Sequence, residues 1–466
     1  VIESQSVDEQ AYRAALGFLY DRINYERMAS GSSRYHFWLQ RTDQLLIRLG
    51  LSGYLHSQTD AAKIPIVHIA GTKGKGSTSA MVAAALTAAG MKTGLYTSPH
   101  LHHLEERFKI DGRPCSQAEL VALVDRIEPV ARAIGRDAGR EPSFFELTTV
   151  IALLHFDTSD CDAVVLEVGL GGRLDSTNVC APSVTAITSI GLDHEHILGH
   201  SLGEIAAQKA GIIKPGVPVV SGVGEGEAAE VIQARCCETS SPLFQRDREF
   251  SVQSQPAPHW GSRLTYQGHV PPLSSRADIE IPLEGVHQAG NAAIALAILD
   301  LLRDQGLKID QEAASRGIAG LECPGRIERF DLPDQVTAIV DAAHNADSIK
   351  ALCRCLTDRA GDRQIAIVFG TSHDKNADTM LQQLSPLADH LMLTRFTGNP
   401  RFKPAAELLE LVPPDKRTAA QVIEQPIAAC SAALAAVNPG GMLVICGSFF
   451  LAAETREWLA SQALPN

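Results

Sequence analysis

Short continuous apolar runs alternate along this chain with longer stretches whose apolar positions recur at helical spacing, which predicts α/β units around largely parallel sheets. In the first part, Ile64–Ala70, Thr93–Thr97, Ala163–Val168, Val184–Ser189 and Val217–Ser221 read as strands, each followed by glycine-bearing loop residues and a helical run. From about Phe250 to Pro282 the pattern shortens to alternating segments rich in Pro, Ser and Gly, which predicts a small antiparallel section. A helix is expected from about Gln288 to Arg303. After Cys323-Pro324-Gly325 a second α/β series begins, with strands expected at Val336–Val340, Gln364–Phe369, His390–Thr394 and Met442–Cys446. The 466 residues exceed one ordinary core, and the break predicts domains at 1–324 and 325–466, the second smaller and Rossmann-like.

Ligands of open α/β sheets bind beyond the carboxyl ends of the strands, so chemistry is sought just after these runs. Gly71-Thr72-Lys73-Gly74-Lys75-Gly76-Ser77-Thr78 stands between the first strand and an Ala-rich helical run. Glycines let backbone N–H groups converge, the helix start adds partial positive charge and Lys75 adds a full one, so the segment predicts a phosphate cradle. It departs from the long P-loop pattern twice: Ile69 stands six residues before Lys75, and Gly76 separates the lysine from Ser77. The strand–loop–helix context still points to a nucleoside triphosphate.

Other polar residues close the later strands. Glu167 ends a buried run, where a lone acid is costly unless paired or bound to a cation, and beside a P-loop that cation is Mg²⁺. Satisfaction by loop amides is the competing reading. Gly191-Leu192-Asp193-His194-Glu195-His196 lacks the further ligands of a zinc site, and spacing alone favours a satisfied loop histidine at His194. Ser201-Leu202-Gly203-Glu204 fits a capping box opening a helix that ends near Lys214. Leu202, Ile205, Ala206, Lys209, Ile212 and Ile213 share one face of it. Lys209 in that stripe either snorkels, which the pattern alone favours, or is held inside with a lowered pKa, able to form an anionic carbamate. Asp341-Ala342-Ala343-His344-Asn345 and Phe369-Gly370-Thr371-Ser372-His373-Asp374-Lys375 follow strands in the second series, as ligand contacts or as helix caps.

Composition narrows the classes. A formal charge of −13 argues against nucleic acid or an acidic membrane surface as partner, so an anionic ligand needs local basic residues. Ten scattered cysteines without a CxxC pair read as reduced, mostly buried thiols of a cytosolic protein rather than a disulfide framework or zinc site. Val1–Gln10 is polar and acidic, unlike a signal peptide, and no apolar run is long enough to span a bilayer. A cytoplasmic monomer is expected.

The assembled segments resemble the folylpolyglutamate synthase and dihydrofolate synthase branch of the Mur ligase superfamily. The resemblance rests on Gly71–Ser77, Leu95–Leu101, Glu105-Glu106-Arg107, Phe144-Phe145-Glu146, Glu167–Asn178, Gly191–His194, Lys209–Lys214, Pro324-Gly325-Arg326 and Asp341–Asn345, in order along nearly the whole chain. It implies a P-loop Mur-ligase-like domain followed by a glutamate-ligase domain. It also implies a two-stage ATP-dependent reaction, in which a carboxylate becomes an acyl phosphate and the amine of L-glutamate then attacks it. The acceptor would be dihydropteroate, the γ-carboxylate of a reduced folate, or both; a bifunctional enzyme is expected, with a monofunctional folylpolyglutamate synthase next and another Mur-type ligase after it. By the same resemblance, Thr72, Lys73, Gly74, Lys75, Gly76 and Ser77 would cradle ATP, with Asn291, Arg326 and Asp341 as further contacts. Ser98 and Glu167 would hold one Mg²⁺; His194 and a carbamylated Lys209 would hold a second. Phe145, Glu146, Leu174, Asp175 and Ser176 would line the pterin or folate site, and His344 and Ser448 the glutamate site. The resemblance thus sets aside the preference for a satisfied His194 and a snorkelling Lys209. Two departures stand out: Cys323 where the family often has Trp, and Ala346 where Pro usually follows the Asp-x-Ala-His-Asn motif.

Overall fold

The strand before the glycine-rich loop, β1 (Ile66–Ala70), is buried at every residue, as expected of a parallel strand covered on both faces. It belongs to a computed structural model of the protein that describes residues 8–23, 39–58 and 63–464; most of the Val1–Gln10 segment lies outside these. The chain divides into two compact units, Val1–Pro282 with Val286–Leu321, and Leu283–Gly285 with Glu322–Asn466.

In the first unit, β1 is joined by β2 (Thr93–Tyr96), β3 (Phe108–Ile110), β4 (Arg113–Pro114), β5 (Ala163–Glu167), β6 (Val184–Ile187), β7 (Val219–Ser221) and β8 (Leu243–Gln245). Their order is β4-β3-β2-β5-β1-β6-β7-β8, parallel except where β3 pairs with β2 and with β4. β1 lies between β5 and β6, with β2 on one side and β7 and β8 on the other. The loop after β1 therefore sits where the winding reverses, the crevice in which open α/β sheets bind ligands. Around this sheet lie α1 (Leu39–Arg48), α2 (Lys75–Ala88), α3 (Gln117–Ala138), α4 (Phe144–Thr158), α5 (Leu202–Ala210) and α6 (Val286–Asp304). α4 and α6 are buried along nearly their full lengths, which explains why they read as apolar all round rather than amphipathic. The antiparallel section appears as β9 (Phe250–Pro256), β10 (Ser262–Gly268) and β11 (Arg276–Ile281), with β10 alternating between buried and half-buried positions.

The second unit holds β12 (Glu328–Asp331), β13 (Thr337–Val340), β14 (Ile365–Phe369), β15 (His390–Leu393), β16 (Ala420–Val422) and β17 (Met442–Cys446), in the order β12-β13-β17-β14-β15-β16. Only β12 runs antiparallel to its neighbour. The expected core strands are all present. The unexpected ones, β3, β4, β8, β12 and β16, are short, lie at or near a sheet edge and are mostly exposed or half-buried, so they need no apolar run. The helix expected to end near Lys214 ends as α5 at Ala210, and tight turns (Ile212 N–H to Lys209 O, Ile213 N–H to Ala210 O) carry the chain onward. Its capping box, Ser201 with Glu204, forms as expected.

One buried ion pair ties α1 to α4: the Arg41 guanidinium meets the Glu146 carboxylate through two hydrogen bonds of 2.9 Å, both side chains 6% exposed. Glu146 also accepts from Ser143 N–H in the capping box that opens α4. Removing one partner of such a pair strands the other in the core. Arg41→Ala is expected to lower unfolding stability by about 3–5 kcal/mol. Arg41→Met with Glu146→Gln, which keeps the cap, recovers most of that loss, as urea denaturation would read out.

Candidate functional site

The loop after β1 is built from its own backbone and held from the side by the segment after β6. Gly74 adopts φ +84° as the N-cap of α2, a conformation L side chains rarely take, and a Cβ there would collide with the Asn291 side chain of α6. Asn291 is thereby fixed against the loop, with its amide donating to Gln288. Thr72 exchanges hydrogen bonds with Gly191, Lys73 N–H donates to Ser189 Oγ, and Thr188 Oγ1 donates to Lys73 O at 2.6 Å. The Lys73 ammonium pairs with Asp193 at 2.8 Å. Two of the expected phosphate contacts, Thr72 and Lys73, thus also lock the loop to Gly191–Asp193. Ser77 lies buried in the first turn of α2.

Lys75 and Lys209 converge on one atom. The first donates to Gly71 O at 3.0 Å and the second at 3.1 Å. Lys209 is 4% exposed, so the snorkelling favoured by pattern alone is corrected: the lysine is held inside, along with Ile205, Ala206, Ile212 and Ile213. Burial first, and then the positive charge of Lys75, push its pKa down to about 7. A lysine that is substantially neutral near physiological pH is a nucleophile. Leu202, expected on the same face, is instead largely exposed at the start of α5.

Glu167 closes β5 as a buried carboxylate, accepting from Ser98 N–H at 3.1 Å. Gly76 brings the start of α2 alongside, its position for a Cβ 3.5 Å from the carboxylate. This acid, the adjacent Ser98 and the nearby P-loop form an oxygen-rich setting that fits a hard divalent cation. His194 is exposed, with φ +51° just before the short helix Glu195–Leu198, and its ring approaches Asp193 at 3.8 Å.

The loop from Val168 to Ser176 is organised from beneath. Asp175 is buried and accepts from the N–H groups of Gly169, Leu170 and Thr177 and from Thr177 Oγ1. Burial lifts its pKa against the pull of those hydrogen bonds. Thr177 Oγ1 in turn lies 2.8 Å from His68 Nε2, within β1. Because the threonine gives its proton to Asp175, the histidine donates through Nε2. Burial holds His68 down to about 3, so it is neutral. The expected acceptor-site residues thus divide into two groups. Asp175 and Glu146 have oxygens engaged in shaping the protein, and Ser176 is buried. Phe145 is half-buried with its ring against Gly169, and Leu174 is exposed.

The Ser98 loop has a clamp of its own. Glu106 accepts from the N–H groups of Leu101, His102 and His103, and buried Arg107 donates to His100 Nδ1 at 2.8 Å. Sequence reasoning used Glu105-Glu106-Arg107 as a motif without assigning it work. The signal was an acid and an arginine a few residues after a strand-end loop. Ser189, Thr188 and His68 were missed because their partners lie far away in sequence, and Asp193 was weighed only as a metal ligand, not as the partner of Lys73.

In the second unit, Asp341 directly follows β13 and accepts from Ile327 N–H and Ala343 N–H, both at 2.8 Å. Burial raises its pKa while the charge of Arg326 opposes the rise. His344 Nδ1 lies 2.9 Å from Ala342 O, and Ser448 caps the helix Phe449–Gln462. Asp341, His344 and Ser448 all follow the carboxyl ends of the adjacent strands β13 and β17.

A P-loop at the switch point of a parallel-rich sheet, beside a buried acid and a buried lysine and followed by a second α/β unit, defines a Mur-type ligase. The chain matches the Mur ligase middle domain over residues 69–299 and the Mur ligase glutamate ligase domain over 325–449. It is 34% identical over 374 residues to the dihydrofolate synthase/folylpolyglutamate synthase of Bacillus subtilis, covering 80% of this chain and 84% of the relative. Among solved structures, Mycobacterium tuberculosis folylpolyglutamate synthase complexed with ADP and AMPPCP superposes with a TM-score of 0.84 at 31% identity, over 98% of this chain and 99% of that one. An Escherichia coli relative in complex with DHPP and ADP gives 0.80 at 29% identity, over 97% and 98%. The chain belongs to the folylpolyglutamate synthase/dihydrofolate synthase family. It is an ATP-dependent ligase that joins glutamate in folate metabolism, acting on small molecules. Among the described residues, no helix is long and apolar enough to cross a membrane.

Gly172 allows the Val168–Ser176 loop to lie directly on α5: a Cβ there would sit 2.8 Å from Gln208 O and 3.0 Å from Lys209 Cα. Gly172→Ala is expected to displace Lys209, lowering kcat by at least about tenfold while leaving ATP affinity within about twofold. Steady-state kinetics and a nucleotide titration would separate the two effects.

Proposed function

We propose that the chain is bifunctional, adding L-glutamate to dihydropteroate and to the γ-carboxylate of a reduced folate, each through an acyl phosphate. The observation that carries bifunctionality is the match to the Bacillus subtilis relative named for both activities, over 84% of that relative. A monofunctional folylpolyglutamate synthase is the alternative. In the first step an oxygen of the acceptor carboxylate attacks the γ-phosphorus of ATP and ADP leaves. In the second the glutamate amine attacks the activated carbonyl carbon, forming the amide, and phosphate leaves with loss of the amine proton.

The protein's part is positioning and charge neutralisation. Lys75, hydrogen-bonded to Gly71 O, would meet a phosphate held on the amides of Gly74, Lys75 and Gly76. Asn291 is assigned to the nucleotide, and Arg326 and Asp341 are assigned as further ATP contacts. His344 and Ser448 are assigned to the incoming glutamate. Phe145 and Leu174 offer the apolar surface for the acceptor's ring system, with Glu146, Asp175 and Ser176 shaping that wall. Ser98 and Glu167 would hold one Mg²⁺, and His194 with a carbamate on Lys209 a second; bound there, the ions supply neutralising charge to the phosphates. We take the protein to act as a monomer in the cytoplasm.

Lys75→Ala is expected to abolish acyl phosphate formation with the fold retained, and normal turnover in that variant would sink the assignment. ADP release with glutamate and Mg²⁺, measured separately with dihydropteroate and tetrahydrofolate, tests bifunctionality; turnover with only one acceptor makes the enzyme monofunctional. The carbamate has its own test. Free amine at Lys209 grows as pH rises through about 7, so a ¹³C carbamate signal from labelled bicarbonate should grow over the same range and vanish in Lys209→Arg. Because the folded lysine loses its proton before the unfolded one, stability should also rise with pH above about 7 toward the ordinary lysine range. A pH-independent signal would defeat the assignment.

A further inference from the structure

The phosphate site occupies the carboxyl ends of β1 and β5, at the middle of the sheet, but a second cluster of chemistry-bearing side chains lies beside its edge strand β4. Cys115 follows β4, Glu119 lies in the first turn of α3, and His155 lies in the last turn of α4. Cys115 N–H donates to Phe108 O of β3, so the cluster lies at the β4 side of the sheet, between the start of α3 and the end of α4. The Cys115 sulfur, one Glu119 carboxylate oxygen and one His155 ring nitrogen all lie within 4.8 Å of one another. Cys115 and His155 are buried and Glu119 is exposed, so the three atoms form a half-open cup with one side toward solvent.

We propose that Cys115, Glu119 and His155 form a binding site for a zinc-class divalent transition metal, structural rather than catalytic, with water completing the shell on the Glu119 side. A thiolate, an imidazole and a carboxylate are a donor set for borderline-soft Zn²⁺ rather than for Mg²⁺. Glu119 can serve without giving up its cap. One oxygen accepts from Ser116 N–H at 2.6 Å, and a carboxylate has a second oxygen to offer. Glu105, 5% exposed, adds a further carboxylate near Cys115, with the Tyr12 hydroxyl as its own partner. The bound ion would pin α3 and α4 together against the sheet edge, away from the ligase chemistry. Sequence spacing hides such a site, because two ligands lie near the start of one helix and the third ends the next.

Cobalt(II) is the probe, added to full-length protein stripped with a chelator. A thiolate-to-cobalt charge-transfer band with tetrahedral d–d bands is expected in the wild type, displaced by Zn²⁺. It should be absent in Cys115→Ser. In Glu119→Gln, which retains the capping box, affinity should fall by at least about tenfold while Mg²⁺-dependent ligase activity stays unchanged. Cobalt at the phosphate site gives no thiolate band, so the two sites are told apart. Should Cys115→Ser fail to fold, His155→Gln gives the same readout. No band in the wild type, or a band that survives loss of Cys115 or His155, overturns the proposal.

Discussion

Much of the first unit's site depends on one convergence: the ammonium groups of Lys75 and Lys209 meet at the carbonyl of Gly71. Lys73 stands on the same loop, paired to Asp193. Three lysines thus gather around one turn in a chain whose formal charge is −13. Net charge sets solubility and long-range behaviour, but the field felt by a phosphate is local. Crowding positive groups around a half-buried loop is unfavourable in itself, and its visible consequence is Lys209, pushed down to about 7 by burial and by Lys75. The same crowding attracts a polyanion and leaves one amine able to react.

Such a cluster needs a rigid frame, because each charge is useful only where it is held. The frame comes from neutral or internally satisfied groups. Thr188 and Ser189 tie down the P-loop, Glu106 and Arg107 hold the Ser98 loop, and the His68–Thr177–Asp175 chain supports the loop that carries Gly172 against Lys209. His68 is held neutral by burial, so this support does not change with pH in the physiological range.

The fold was legible in the sequence to the extent that burial leaves a pattern. β1, β5, β13, β14 and β17 are buried end to end and read as continuous apolar runs. The edge strands β4, β12 and β16 do not, since half or more of their residues face solvent and their identity comes from backbone pairing. For the site, strand-end position identified Lys75, Glu167 and Asp341 as residues to watch. Their geometry was not legible. Lys209 shows the limit: a lysine in an apolar stripe is compatible with snorkelling or with burial, and only the packing of α5 beneath Gly172 decides between them. Asp175 and Glu146 show the converse, polar residues of a functional motif whose oxygens are largely occupied in building the walls.

That last point bears on how the acceptor is recognised. A carboxylate already engaged by three backbone N–H groups and a hydroxyl, as at Asp175, has little capacity left for a ligand. If these residues form the acceptor wall, as proposed, what remains on it is the ring of Phe145 and the exposed Leu174, an apolar surface suited to stacking and shape rather than to reading a hydrogen-bond pattern. A pocket that recognises a flat ring system mainly by contact tolerates differences at the far end of the molecule. An enzyme expected to accept both a pterin acid without glutamate and a folate that already bears one requires that tolerance.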